Sequence, residues 1–81
     1  MTKAEILEKL SEIFHEVFDD DGIVLTPETS ADHISEWDSF NHIHIIVAVE
    51  ARFGVKFQVA EVTALKNVGD LVTLISARLA A

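Results

Sequence analysis

The stretch EWDSFNHIHIIVAVEARFG, Glu36 to Gly54, decides how the rest of the chain is read. Asp38 has the short carboxylate favoured just before a helix, and Gly54 suits the left-handed residue that ends one. The apolar residues between them recur at helical spacing, which predicts a helix capped by Asp38 and running through Phe53. At roughly 100° per residue, Ile45, Ile46, Val49 and Phe53 fall on one side. Phe40, Ile43 and Val47 fall nearly opposite. A bundle helix needs one buried stripe, so the second row is either extra core or an exposed contact patch, and in so small a domain the patch is expected. Ser39 stands at the border of the two faces, in the first helical position. A phosphate ester there would meet the positive end of the helix dipole and its unpaired amides. The same serine also reads as a second polar residue beside an Asp cap.

Upstream, Thr2 and Glu5 form a capping-box pattern, followed by Ile6, Leu7, Leu10, Ile13, Phe14, Val17 and Phe18 at helical spacing. A first helix over residues 3–18 follows, stopped at Asp19-Asp20-Asp21-Gly22. Residues 19–38 form a long connector, anchored by Ile23, Leu25, Ile34 and Trp37 and turned by Pro27, Thr29, Ser30 and Asp32. Downstream, the alternation of Val55, Phe57 and Val59 finds no partner strand and is read as an extended loop. Residues 60–65 predict one or two helical turns. Asn67 and Asp70 cap a last helix with Val68, Leu71, Val72, Leu74, Ile75 and Leu79 as its apolar stripe. The expected fold is all-α: a small four-helix bundle of three main helices and one short one, with a long loop between the first two.

The chain has 81 residues, 49% of them hydrophobic, enough for one modest core and a single domain over residues 1–81. It contains no cysteine, so packing rather than disulfides or thiolate metal sites must hold it. No apolar run reaches the roughly 20 residues that cross a bilayer. Met1 is followed by Thr2, Lys3, Ala4 and Glu5 rather than a basic stretch and an apolar one. A cytoplasmic, monomeric protein is expected. The net charge of −8 argues against nucleic acid and anionic membranes as partners. Residues 1–38 hold eleven of the fourteen acids against Lys3 and Lys9, a net of −9, while residues 39–81 sum to +1.

Three other chemistries compete for these residues. His42 lies three residues from Ser39 on the same helix, but no Gly-x-Ser-x-Gly elbow or oxyanion hole accompanies it, so a hydrolytic pair is not expected. His42 is expected to pack its ring at the core edge and donate one hydrogen bond. His42 and His44 point about 200° apart on a helix and cannot share a metal, and His15 and His33 read as surface polar residues. Asp19, Asp21, Gly22, Val24 and Glu28 match part of a calcium-binding loop, but Val17 takes its first ligand position and Pro27 precedes the last. No metal site is expected. An unmodified helical adaptor using the Phe40, Ile43 and Val47 row needs no cofactor and stays open.

Asp38-Ser39-Phe40 resembles the Asp-Ser-Leu motif of the acyl carrier protein family. The resemblance extends over nearly the whole chain: an acidic capped first helix, a long loop, the Asp-Ser helix closing on Glu50 and Phe53, a hydrophobic linker and a capped last helix. It implies a carrier rather than an enzyme, with Ser39 bearing a 4′-phosphopantetheine arm derived from coenzyme A and Asp38 helping the phosphopantetheinyl transferase recognise the site. It further implies that Phe40, Ile43, His44, Val47 and Glu50 face acyl-loading and acyl-transferring enzymes. Ile46, Val49, Phe53, Phe57, Leu65, Val68 and Leu71 would form a core that opens for an acyl chain. Asn41, His44, Ala51 and Arg52 stand where fatty-acid-synthesis carriers often place acids, and Phe40 replaces the usual leucine. These departures point to a dedicated biosynthetic pathway. The Gly-Gly common before the serine of peptidyl carriers is absent, which favours an acyl over an aminoacyl cargo.

Overall fold

A computed structural model describes residues 1–34 and 37–80, with only the backbone of Ser39. Four helices follow in order: α1 over Lys3–Phe18, α2 over Ser39–Phe53, α3 over Val59–Thr63 and α4 over Val68–Ala80. Each long helix begins where a side chain satisfies its first amides. Thr2 and Glu5 close a reciprocal capping box on α1, with Thr2 N–H donating to Glu5 Oε1 at 2.8 Å and Glu5 N–H to Thr2 Oγ1 at 3.2 Å. These bonds, the backbone one first, hold the Glu5 carboxyl below the ordinary carboxylate range. α1 ends at Asp19, whose left-handed φ of 51° is one that a short polar side chain tolerates. Gly54, at φ 68°, ends α2 in the same way.

α1 is the centre of the packing, meeting both α2 and α4 along its length. Ile6, Leu10, Ile13 and Phe14 from α1, Ile45 and Val49 from α2, and Val68, Leu71 and Ile75 from α4 are all but fully buried. Burying one such side chain is worth about 1.5–3 kcal/mol, so this three-helix core carries most of the hydrophobic stabilisation. Leu25, Ile34 and Trp37 of the connector join it, and Ile23 is half-buried against it. Trp37 meets Phe14 edge-on at a centroid distance of 5.1 Å.

The long connector is bonded to α4 from its middle. Pro27 and Thr29 offer their carbonyls to the first amides of α4, Gly69 N–H at 2.8 Å and Val68 N–H at 2.8 Å. Those amides have no acceptor within their own helix, so the loop caps α4 from outside. Gly69 is the residue that permits this approach, because a Cβ there would lie 2.9 Å from the Pro27 carbonyl oxygen. Asn67 Oδ1 takes the Asp70 amide at 2.8 Å, as its spacing predicts.

Three expectations need correction. α3 starts at Val59 rather than residue 60 and stops at Thr63, because Gln58 N–H donates to the Glu61 carboxylate at 2.9 Å and so sets the first turn one residue early. Leu79 is 37% exposed, so the buried stripe of α4 ends at Ile75. His15 is half-buried rather than a surface residue, its Nε2–H donating to the Ile23 carbonyl at 2.7 Å, whereas His33 is exposed as expected, its Nδ1 accepting from Ser30 N–H at 3.0 Å.

Candidate functional site

The start of α2 is set by Asp38, whose Oδ1 accepts from Asn41 N–H at 2.9 Å while its carbonyl accepts from His42 N–H at 2.8 Å. Ser39 is the first residue of the helix. Its side chain, like Ser35 and Glu36 of the same approach, lies outside the described residues. Helical geometry leaves the amides of the first two positions without an intrahelical acceptor. The first turn of α2 itself contains no acid to oppose an anion attached there.

From Asp38 a groove of about 880 Å³ runs along α2. One wall is His42, Ile43, Ile46, Val47 and Glu50, residues three and four apart on one face of the helix. The other wall is Phe57, Val59, Val62, Thr63 and Leu65, and Trp37 and Leu71 also line the groove. Its walls are mainly apolar, as suits an aliphatic guest.

The far wall is tied on by polar bridges. Glu50 Oε2 accepts from Phe57 N–H at 2.9 Å. Arg78 of α4 donates through Nε to the Lys56 carbonyl at 3.1 Å and pairs with the Glu61 carboxylate. The Gln58 amide bond, aided by Arg78, lowers the pKa of Glu61 below 4.5 against the opposing effect of partial desolvation. His42 does more than the single donation expected of it. Trp37 Nε1–H donates to its Nδ1 at 3.1 Å, and its Nε2 meets the Val62 carbonyl at 3.3 Å.

α2 also turns an apolar row to solvent, of which Ile43 and Val47 belong to the groove wall as well. Phe40, Ile43 and Val47 are 66%, 60% and 58% exposed. The Phe40 and His44 rings lie 4.5 Å apart between centroids, so His44 extends the row rather than interrupting it.

The phosphopantetheine attachment site family matches residues 8–75, which span the start of α2 and all the groove-lining residues. The chain belongs to the acyl carrier protein family. It is 38% identical to the acyl carrier protein of Acidothermus cellulolyticus over 94% of this chain and 90% of that one. It is 35% identical to the meromycolate extension acyl carrier protein of Mycobacterium leprae over 93% of this chain and 65% of that one. Its fold superposes with a TM-score of 0.86 on the solution structure of the holo acyl carrier protein of Geobacter metallireducens, at 51% identity over 91% of this chain and 85% of that one. The function is therefore that of an acyl carrier, a protein of a family whose members carry rather than catalyse, and 4′-phosphopantetheine is its prosthetic group.

Against this frame the expected site residues divide. Ile46, Phe57, Leu65 and Leu71 line the groove, whereas Val49, Phe53 and Val68 do not. Val49 and Val68 are fully buried in the core around α1. Phe40, Ile43, His44 and Val47 are exposed together, but Glu50 is half-buried and its carboxylate is engaged by Phe57 N–H. Arg52 points away from this face toward α1, 3.3 Å from Glu16 and 4.0 Å from Glu12. Trp37, Val62 and Arg78 were missed. Only Trp37 left a signal, as a large aromatic beside the Asp-Ser pair.

Proposed function

We propose that Ser39 carries the 4′-phosphopantetheine arm and that the groove between α2 and α3 shelters the acyl chain it bears. The observation that carries this reading is the meeting of two features at one point. The first residue of α2, behind the Asp38 cap, stands at the end of an apolar groove that has Asp38 in its own lining. The N-terminus of a helix of this length favours a phosphodiester. The arm ends in a thiol, which holds acyl groups as thioesters and keeps them at high local concentration.

Residues 1–81 act as one carrier domain, cytoplasmic and monomeric, without catalysis of its own. No helix among the described residues is long and apolar enough to cross a membrane. A phosphopantetheinyl transferase installs the arm, with Asp38 as part of its recognition. Phe40, Ile43, His44 and Val47 form the docking face for acyl-loading and acyl-transferring enzymes. The pathway is a dedicated one: α2 has no acid in its first turn, and its Glu50 carboxylate is already engaged. A relationship to carriers named for meromycolate extension supports specialised lipid assembly as the setting.

The test is intact mass after incubation with coenzyme A, magnesium and a broad-specificity phosphopantetheinyl transferase. One added arm is expected, mapped to Ser39 and absent from a folded Ser39→Ala protein. An arm on Ser11, Ser30, Ser35 or Ser76 defeats the assignment, and no arm at all returns the unmodified adaptor.

A further inference from the structure

α3 contains no buried residue, and the two large helix interfaces join α1 to α2 and α1 to α4. What keeps α3 in place is therefore a little half-buried apolar surface and a few polar bridges. One of those bridges reaches back to the attachment segment. Trp37 Nε1 is always a donor, so the His42 Nδ1 it meets at 3.1 Å must be unprotonated. The neutral ring then has its proton on Nε2, which donates to the Val62 carbonyl of α3 at 3.3 Å. The two bonds run head to tail through one imidazole, an arrangement in which each strengthens the other. Trp37 itself is seated on Phe14 of the core and precedes Ser39 by two residues.

We infer that His42 is a positioning residue that couples the seating of α3, and so the opening of the groove, to the segment leading into Ser39. This rests on the groove reading above only for what enters the groove. The imidazole cannot follow α3 outward without drawing Nδ1 from the indole. Conversely, an enzyme seated on Asp38 and Phe40 that shifts Trp37 weakens the hold on Val62. Coupling of this kind is reciprocal. It provides a means of releasing a sheltered chain when a partner docks at the attachment end.

The experiment is amide hydrogen exchange on the full chain without its arm, comparing α3 with residues 6–14 of α1 and following the Trp37 indole N–H. In the unaltered protein, imidazole nitrogen shifts should report the Nε2–H tautomer; the Nδ1–H tautomer overturns the inference. His42→Phe keeps a ring but loses both bonds. It should speed α3 exchange roughly three- to tenfold, the effect of one ordinary hydrogen bond, speed exchange of the indole N–H, and leave α1 unchanged. Trp37→Phe keeps a ring but removes the indole donor to His42, and should also speed α3 exchange, by at least about twofold. His42→Gln, which retains a donor and an acceptor, should fall between wild type and His42→Phe. Unchanged α3 exchange in either ring variant, or an equal rise in α1 and α3, overturns the inference. If His42→Phe fails to fold, Trp37→Phe and His42→Gln decide by the same criteria. Repeating the measurement with short and long acyl chains on the arm separates the two claims. If the variants behave as expected but chain length leaves α3 unchanged, His42 coupling stands and the groove is not the acyl shelter.

Discussion

α1 and α3 both flank α2, and they are held there by different physics. α1 inserts Ile6, Leu10, Ile13 and Phe14 into a core from which water is excluded. α3, five residues long, inserts none. Its seat depends on the half-buried Val62 and Leu65, on Glu50 and Arg78 holding the linker, and on His42 holding Val62. Dispersion and burial do not release one side chain at a time, because opening any part of a packed interface creates a void. A few hydrogen bonds near solvent are exchanged for water at little net loss. One flank of α2 is thus built to stay closed. The other is held by contacts that water can replace without unfolding the domain, which is what the proposed sheltering and release of an acyl chain would need.

Core truncation on the two flanks is the harshest trial of this contrast. Phe14→Ala removes a fully buried ring that touches both Phe18 and Trp37, and should cost about 3–5 kcal/mol. Val62→Ala on α3 should cost about 1 kcal/mol or less, because its side chain is only partly buried. Urea denaturation measures both. Equal losses would mean that α3 is as firmly packed as α1, and the comparison would fail. Gly69→Ala comes next and belongs to the closed side. Its Cβ would press on the Pro27 carbonyl, a backbone atom fixed by its own bond to Gly69 N–H. A loss of about 1–3 kcal/mol is expected, from strain of the kind that overpacking produces. A melting temperature within a degree of wild type would show that the connector is not pinned there.

Acid should separate the flanks without any substitution. The Glu61 carboxyl is held below its ordinary pKa of 4.5, first by the Gln58 amide and then by Arg78. A depressed folded-state pKa contributes stability that is present above the unfolded value and lost as pH falls through the folded one. Below pH 4.5 the Gln58 and Arg78 contacts should therefore weaken, and with them the start of α3. Glu5 titrates in the same direction at the start of α1, but there the buried stripe remains. Amide exchange followed from pH 6 down to pH 4 should show α3 loosening ahead of the middle of α1. Parallel loosening of the two would place the acid sensitivity in the core instead.

How much of this was legible beforehand depended on the range of the interaction. Thr2 with Glu5 and Asn67 with Asp70 are contacts between residues close in sequence, and together with the caps at Asp38 and Gly54 they placed the long helices almost to the residue. The two faces of α2 followed from helical periodicity, including the row left in solvent. What periodicity does not encode is the angle at which one helix meets another. Ile46 and Val49 fall on one side of α2, yet Ile46 lines the groove and Val49 is fully buried in the core. Arg52 could be numbered among missing acids, but its pairing with Glu16 joins residues 36 apart. The same holds for His42 and Val62, 20 apart, and for Arg78 and Lys56, 22 apart.

The finest test of the contrast asks what charge does on each side of α2. Partner docking combines apolar contact with charge complementarity, and charge acts mostly on encounter rate. By the family resemblance alone His44 and Arg52 both stand at positions expected to be acidic, but the structure gives them different surroundings. Arg52→Glu would set a third carboxylate against Glu12 and Glu16. Its expected effect is therefore on stability, a loss of about 0.5–1 kcal/mol that shrinks in high salt as the repulsion is screened. His44→Glu changes the exposed row beside Phe40 and touches no acid of α1. It should leave the melting temperature nearly unchanged and raise loading by a malonyl transferase of general fatty-acid synthesis about two- to fivefold, a gain lost in high salt. The unaltered protein, armed and run in parallel with a standard fatty-acid carrier, should load more slowly. Equal loading of the two would remove the case for a dedicated pathway while leaving the carrier function intact. If Arg52→Glu rather than His44→Glu raised loading at unchanged stability, the docking face would extend onto the α1 side, and the division of α2 into a closed flank and an open one would have to be redrawn.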